Sequence, residues 1–319
     1  ELALKLENME NLYLPKEELK NTAGNTIVSM ECVGGIVKAY VNAVHGVRSD
    51  NVQPYGCWGI LNEVRLGIVE FRVTEFMREY LQKHLKERYS DEMIQNMAVK
   101  ALEVNVTIPC VGGATPSDVI ALIDLALDKT TVFRKRKSQG KCEKVNTGCL
   151  FSRPKEYRVK VYDKTEDQRQ KGNPLVPENL LRIEIVFIDR ALRRMFGDKR
   201  SLLDMLSLEA IEIMCREYKR VLEFDIINGS VKPCLDYCVS QLVESLVSAE
   251  TGHEISATVA RYKELIPDIQ ILRKALKRWY RIRGEEDKSK QAINYYRQKK
   301  IGLPEGVLKT LRAFHDAAG

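Results

Sequence analysis

Two stretches decide the fold: Tyr157-Arg-Val-Lys-Val-Tyr-Asp-Lys164 and Leu180-Leu-Arg-Ile-Glu-Ile-Val-Phe-Ile188. Each alternates polar and apolar residues with a period of two, the signature of a strand buried on one face. The linker between them carries Gly172, Asn173, Pro174 and Pro177, which are turn formers. Neighbouring antiparallel strands follow, with Arg158, Lys160 and Tyr162 sharing a polar face with Arg182 and Glu184. Such a face suits phosphate contact plus a carboxylate for a metal ion. A cross-strand ion-pair ladder is the plainer alternative.

Working outward, Ala101-Leu-Glu-Val-Asn-Val-Thr-Ile108 alternates as well and predicts a third strand. Pro116-Ser117-Asp118 predicts a helix start, followed by apolar residues to Leu127. Residues 1 to 60 are rich in Gly, Val and Asn, including Gly34-Gly35, Tyr55 and Trp58, and suggest short strands joined by turns. Residues 60 to 101 carry apolar positions at helical spacing from Leu66 to Met97. The same spacing recurs from Leu202 to Leu222 and from Leu235 to Leu246. The fold class expected is α+β: an antiparallel sheet domain with packed helices over 1–200, then a mostly helical basic region over 201–319.

Composition is that of a globular chain, with 44% hydrophobic and 30% charged residues. The net charge of +7 is concentrated in two blocks. Residues 129–171 hold fourteen basic and five acidic side chains, with a Gly140 turn, and residues 261–312 hold fifteen and six. Two such blocks suggest a polyanion-binding face; the alternative is a pair of solvated surfaces. Arg273-Lys-Ala-Leu-Lys-Arg-Trp-Tyr-Arg-Ile-Arg283 interleaves six basic residues with two aromatics, which fits a DNA-contacting helix bearing Arg278, Arg281 and Arg283. A surface helix with Trp279 buried is the alternative. The eight cysteines have no zinc-site spacing, and reduced thiols in a cytoplasmic protein are expected. No apolar run is long enough to span a bilayer and no signal peptide pattern opens the chain, although it starts at Glu1 rather than Met.

Val159-Lys-Val-Tyr-Asp-Lys164, then Glu166 and Arg169, then Leu181-Arg-Ile-Glu-Ile185, resemble paired segments of phage and plasmid rolling-circle replication initiators, the filamentous-phage gene II type and trans-acting plasmid initiators. Asn146-Thr-Gly-Cys-Leu-Phe-Ser-Arg153 is similar to the stretch that precedes the same strand in those plasmid proteins. The resemblance covers about residues 100 to 200. It implies a sheet-based nicking domain, a tyrosine that becomes joined to a 5′ phosphate, a divalent metal (Mg or Mn), and DNA with a host helicase as partners. The chain departs from that pattern at three points. Asn105 stands in Glu103-Val104-Asn105 where an Asp is expected, no tyrosine precedes Ser152-Arg153, and the four histidines His45, His84, His253 and His315 are isolated.

Nicking by transesterification needs an oxygen nucleophile, a cation at the scissile phosphate and basic groups that hold DNA. Tyr162 is the strand candidate; a packing tyrosine is the alternative. Tyr295 and Tyr296, within Asn294-Tyr-Tyr-Arg-Gln-Lys-Lys300, are the helical candidates; adjacent helix residues point about 100° apart, so at most one faces a given site. Their rings could instead stack on bases. Glu184 leads the metal candidates, with Glu103 and Asp163 beside it. Arg158, Lys160, Lys164 and Arg182 are the sheet's expected phosphate contacts. Besides a nicking initiator, the residues admit an inactive origin-binding relative or an unrelated nucleic-acid-binding regulator. The basic C-terminal segment could also form a homodimer contact.

Overall fold

A computed structural model describes residues 2–6, 9–47, 63–86, 89–90, 92–95, 97–128, 134–135, 148–172, 176–198, 201–298 and 304–318. Tyr55, Trp58, the Gly140 turn and residues 129–133 and 136–147 of the first basic block lie outside the described residues.

The chain begins with strands β1 (Leu2–Lys5), β2 (Leu14–Lys20), β3 (Thr26–Val33) and β4 (Ile36–Val41). Helices α1 (Ala43–Val47), α2 (Glu63–Leu85) and α3 (Glu92–Gln95) follow, then β5 (Ala98–Val99). These strands make one antiparallel sheet in the order β2-β3-β4-β1-β5. Its apolar side, including Ile27, Met30 and Val37, is buried with Val69, Val73, Met77 and Leu81 of α2. The helix expected to run to residue 101 stops at Leu85, where Lys86 takes a left-handed φ of 50°. Met97 still packs into the core from beyond the helix, which is why the apolar spacing outlasts the helix itself.

The second sheet contains the deciding strands. It comprises β6 (Ala101–Pro109), β7 (Arg134–Lys135), β8 (Gly148–Arg153), β9 (Tyr157–Asp163) and β10 (Leu180–Ile188), in the order β6-β10-β9-β8-β7, all antiparallel. Helix α4 (Pro116–Asp128) lies between β6 and β7, and α5 (Lys164–Gln170) between β9 and β10. The expected strand pair is therefore adjacent, with β10 central between β9 and β6. Val159, Val161, Ile183, Ile185, Phe187 and Phe151 are fully buried on one face. The alternation in β9 reflects that one-sided burial, whereas β10 is buried on both faces, Arg182 and Glu184 included.

The remainder is helical: α6 (Asp189–Phe196), α7 (Leu202–Met205), α8 (Leu208–Arg220), a π-helical stretch Val221–Val231, α9 (Lys232–Leu246), α10 (Gly252–Arg261), α11 (Ile269–Ile282), α12 (Glu286–Gln298) and α13 (Val307–Ala317). The π stretch bridges what the sequence divides at Asn228, Gly229 and Pro233. A side chain at Gly229 would meet the Phe224 carbonyl oxygen at 2.9 Å, so the wide turn requires glycine there.

The apolar face of the second sheet is covered by α4, α8 and α13. The Tyr218 hydroxyl of α8 donates to the Ile183 carbonyl at 3.3 Å. The loop before α13 meets the loop after β6 so closely that a Cβ on Gly306 would lie 2.1 Å from the Val111 carbonyl oxygen. The C-terminal helix is thereby fastened to the sheet rather than standing apart. Among the described residues no helix is long and apolar enough to cross a membrane. The architecture is α+β, as expected, with one difference: the first 200 residues hold two sheets.

Candidate active site on the polar sheet face

Register places the site. Glu184 of β10 lies opposite Lys160 of β9 and Asn105 of β6. Arg182 lies opposite Tyr162 and Thr107, and Val186 opposite Arg158 and Glu103. Period-two alternation turns all these side chains to the face away from α4 and α8.

Glu184 is the hub. Its Oε1 accepts from the Tyr162 hydroxyl at 2.6 Å, and its Oε2 accepts from Lys160 Nζ at 3.0 Å. Tyr162 is a diagonal rather than a direct neighbour of Glu184, a separation an aromatic side chain spans. Lys160 Nζ also lies 4.0 Å from Glu103 Oε2, and Asn105 Nδ2 donates to the other Glu103 oxygen at 3.4 Å. Arg182 Nε donates to Thr107 Oγ1 at 2.7 Å, with Nη1 3.9 Å from Glu184.

Electrostatics follow from this crowding. Burial, and then the Glu184 charge, push the Tyr162 phenol well above its ordinary range. Glu103 is raised first by desolvation and then by repulsion from Glu184. The Glu184 charge thus opposes ionisation of Glu103, and Lys160 partly offsets it.

Helix α5 closes one end of this face. Asp163 caps it, accepting from the Glu166 amide at 2.9 Å. Lys164 is buried, donates to Asp167 at 2.9 Å, and lies 5.9 Å from the centre of the Tyr162 ring. Desolvation chiefly, with help from Arg182, lowers Lys164 to about 8. Burial opposes ionisation of Asp167, but hydrogen bonds from Lys171, Lys164 and Gln168 hold it at about 2.

Several expectations are corrected here. Asp163 is occupied as a helix cap and does not join Glu184 and Glu103, so the three expected metal ligands do not converge. Lys164 and Arg182, expected at phosphates, are only 2% and 3% exposed and already hold internal partners. Arg158 and Lys160 remain the accessible cations of the strand pair, and the buried Arg158 Nε has no hydrogen bond among the described residues. Tyr295 and Tyr296 lie on α12, which packs on α11; Tyr296 is buried, with its hydroxyl 3.2 Å from Ser256 Oγ, whereas Tyr295 is exposed. On α11, Trp279 is buried as in the plainer alternative, while Arg278, Arg281 and Arg283 face outward. Arg281 pairs with Glu286 at 2.6 Å and Arg283 with Glu285 at 3.7 Å.

Two participants were not singled out from the sequence, Thr107 and Asn105 as side-chain partners, although the alternation of β6 carries them onto the Glu103 face. A third group lies elsewhere: Asp225 of the π stretch accepts from Tyr157 at 2.8 Å and pairs with Arg153 and Arg220. Nothing local in the sequence ties Asp225 to strands about seventy residues earlier.

The donor set fits a divalent ion only in part. Glu103 and Glu184 face a common point, but the Lys160 ammonium holds it. Among the described residues no three His, Cys, Asp or Glu side chains gather as a metal would require. No family model matches this chain, and neither does any curated protein or solved structure.

Proposed function

We propose that the chain binds DNA and nicks one strand by transesterification, with Tyr162 as the nucleophile. The observation that carries this reading is the 2.6 Å hydrogen bond from the Tyr162 hydroxyl to Glu184. A nucleophile held by a base, with the base oriented by a third group, is the geometry such chemistry uses. Here Lys160 orients Glu184.

The phenol oxygen attacks the scissile phosphorus and its proton passes to Glu184. The bond to the 3′ oxygen breaks, leaving a 3′ hydroxyl once that oxygen is protonated and a phosphotyrosine ester to the 5′ end. Developing negative charge on the phosphate meets Lys160, and the half-exposed Arg158 guanidinium adds to the positive field there. Arg182 sits beneath this layer and steadies Glu184 and Thr107. The raised Tyr162 pKa means that the proton leaves during attack rather than before it.

The test is incubation with supercoiled DNA carrying candidate origins, in magnesium, manganese or chelator, read as open circles and as a covalent 5′ adduct. Loss of the adduct in Tyr162→Phe supports the assignment. DNA binding without an adduct under every condition favours an origin-binding relative that does not cut.

A further inference from the structure

Among the described residues, four of the twelve exposed large hydrophobic side chains gather on the first sheet: Tyr13, Val33, Ile36 and Tyr40. Helix α2 packs on the other side of β2 and β3, and period-two alternation turns these four away from it. Lys16, Glu18, Lys20, Glu31 and Lys38 share their face. Register arranges its centre in three rows across β3 and β4: Val33 opposite Ile36, Glu31 opposite Lys38, and Ser29 opposite Tyr40. Beside them, Glu18 holds both Lys16 at 2.6 Å and Lys20 at 3.4 Å. Charge on the face nearly cancels, so it does not select a polyanion. An exposed apolar patch of this kind marks a protein contact.

We infer that this face binds a second copy of the chain, the two sheets packing about a two-fold axis parallel to the strands and midway between β3 and β4. That axis carries each residue of β3 over its row neighbour on the other copy. Val33 then meets the partner's Ile36, and Glu31 meets the partner's Lys38. Tyr40 covers the partner's Ser29, the smallest side chain in the three rows. An axis across the strands through the middle row would set Glu31 on Glu31 and Lys38 on Lys38, so charge rejects it. Facing sheets keep their strands within about 30° of each other, which the chosen axis allows. Tyr13, before β2, widens the apolar end. The inference stands apart from nucleic acid and from any cutting step.

The experiment is sedimentation velocity of the full chain from about 1 to 100 μM, the range in which a modest interface assembles. A concentration-dependent dimer is expected. Glu31→Lys and Lys38→Glu each bring like charges together and should weaken it by about ten-fold or more. Mixing these two variants, or combining both changes in one chain, should restore it. Ile36→Lys should leave a monomer. None of the three positions lies in the core, so circular dichroism should match the parent. A parent that stays monomeric at the highest concentration overturns the inference. So does a dimer that both charge reversals leave at parental strength, because the copies then meet on another surface.

Discussion

Lys160 and Glu184 face each other across β9 and β10, and their charged groups meet at 3.0 Å while Glu184 holds Tyr162 on its other oxygen. The ammonium thereby stands between Glu184 and Glu103, where a divalent ion would otherwise bridge two carboxylates. Lys160→Met should leave that point open and create a manganese site absent from the parent. Titration of manganese by electron paramagnetic resonance reads this directly, without reference to cutting. Manganese bound by the parent and lost in Glu184→Gln would show that Lys160 yields its place to the ion.

Glu184→Gln should abolish the adduct while leaving DNA affinity nearly unchanged. It removes the proton acceptor for Tyr162 but none of the cations that face solvent. Filter binding and the covalent-adduct gel separate the two effects. A variant that still forms adduct at parental rate would remove Glu184 from the proton path.

How far this site was legible in the sequence depends on which residues are considered. The alternation in β9 and β10 placed Arg158, Lys160, Tyr162, Arg182 and Glu184 on one face, because a two-residue period fixes sides, and the pairing of β6 with β10 adds Glu103. It did not fix register. The diagonal from Tyr162 to Glu184 depends on how the chain between 164 and 180 returns, and α5 sets that return. The Asp163-Lys-Thr-Glu166 pattern is a helix-start signature. Read as part of the strand segment, however, it put Asp163 with the metal candidates and Lys164 with the phosphate contacts. Exposure was likewise invisible: Lys164 and Arg182 look like phosphate contacts until α5 and the central position of β10 enclose them.

Acid should weaken the α5 corner. The folded pKa of Asp167 is depressed from 3.8 to about 2, so its contribution is fully present above the unfolded value and is lost as pH falls toward 2. Lys164 acts in the opposite sense. Its folded pKa, depressed from 10.5 to about 8, is a penalty present below pH 8 and relieved as pH rises from 8 to 10.5. Asp167→Asn strands the buried ammonium and should cost about 3–5 kcal/mol near neutrality. It should also flatten the acid limb of a stability profile measured by urea unfolding. A parental acid limb in that variant would contradict the assignment.

Ile185 is fully buried on the helix-covered face of β10, one position from Glu184. Ile185→Ala should lower unfolding free energy by about 2–5 kcal/mol, through lost transfer energy and a residual cavity. The urea midpoint should fall with little change in slope. Leu150 of β8, half-exposed on the polar side, should cost less when truncated. Equal losses at the two positions would mean that the polar face is covered as fully as the other.

The basic C-terminal segment tests the DNA footprint. Phosphate contacts release counterions, so affinity should fall steeply with salt, by a slope of about −0.9 for each phosphate neutralised on duplex DNA. Arg278, Arg281 and Arg283 all face outward, but Arg281 is held by Glu286, and Arg283 by Glu285 with its guanidinium 4.9 Å from the Trp279 ring centre. Each of these two must exchange an existing carboxylate partner for a phosphate, which reduces its net contribution. Among the described residues Arg278 makes only a 3.3 Å bond, to Ser240 Oγ, and has less to give up. Arg278→Ala alone should therefore reduce the salt slope by about one, and adding Arg281→Ala and Arg283→Ala should change it less than three independent contacts would. Fluorescence anisotropy over a salt series measures this. A slope unchanged in the triple variant would remove α11 from the footprint and leave DNA binding to Arg158, Lys160 and the strand face.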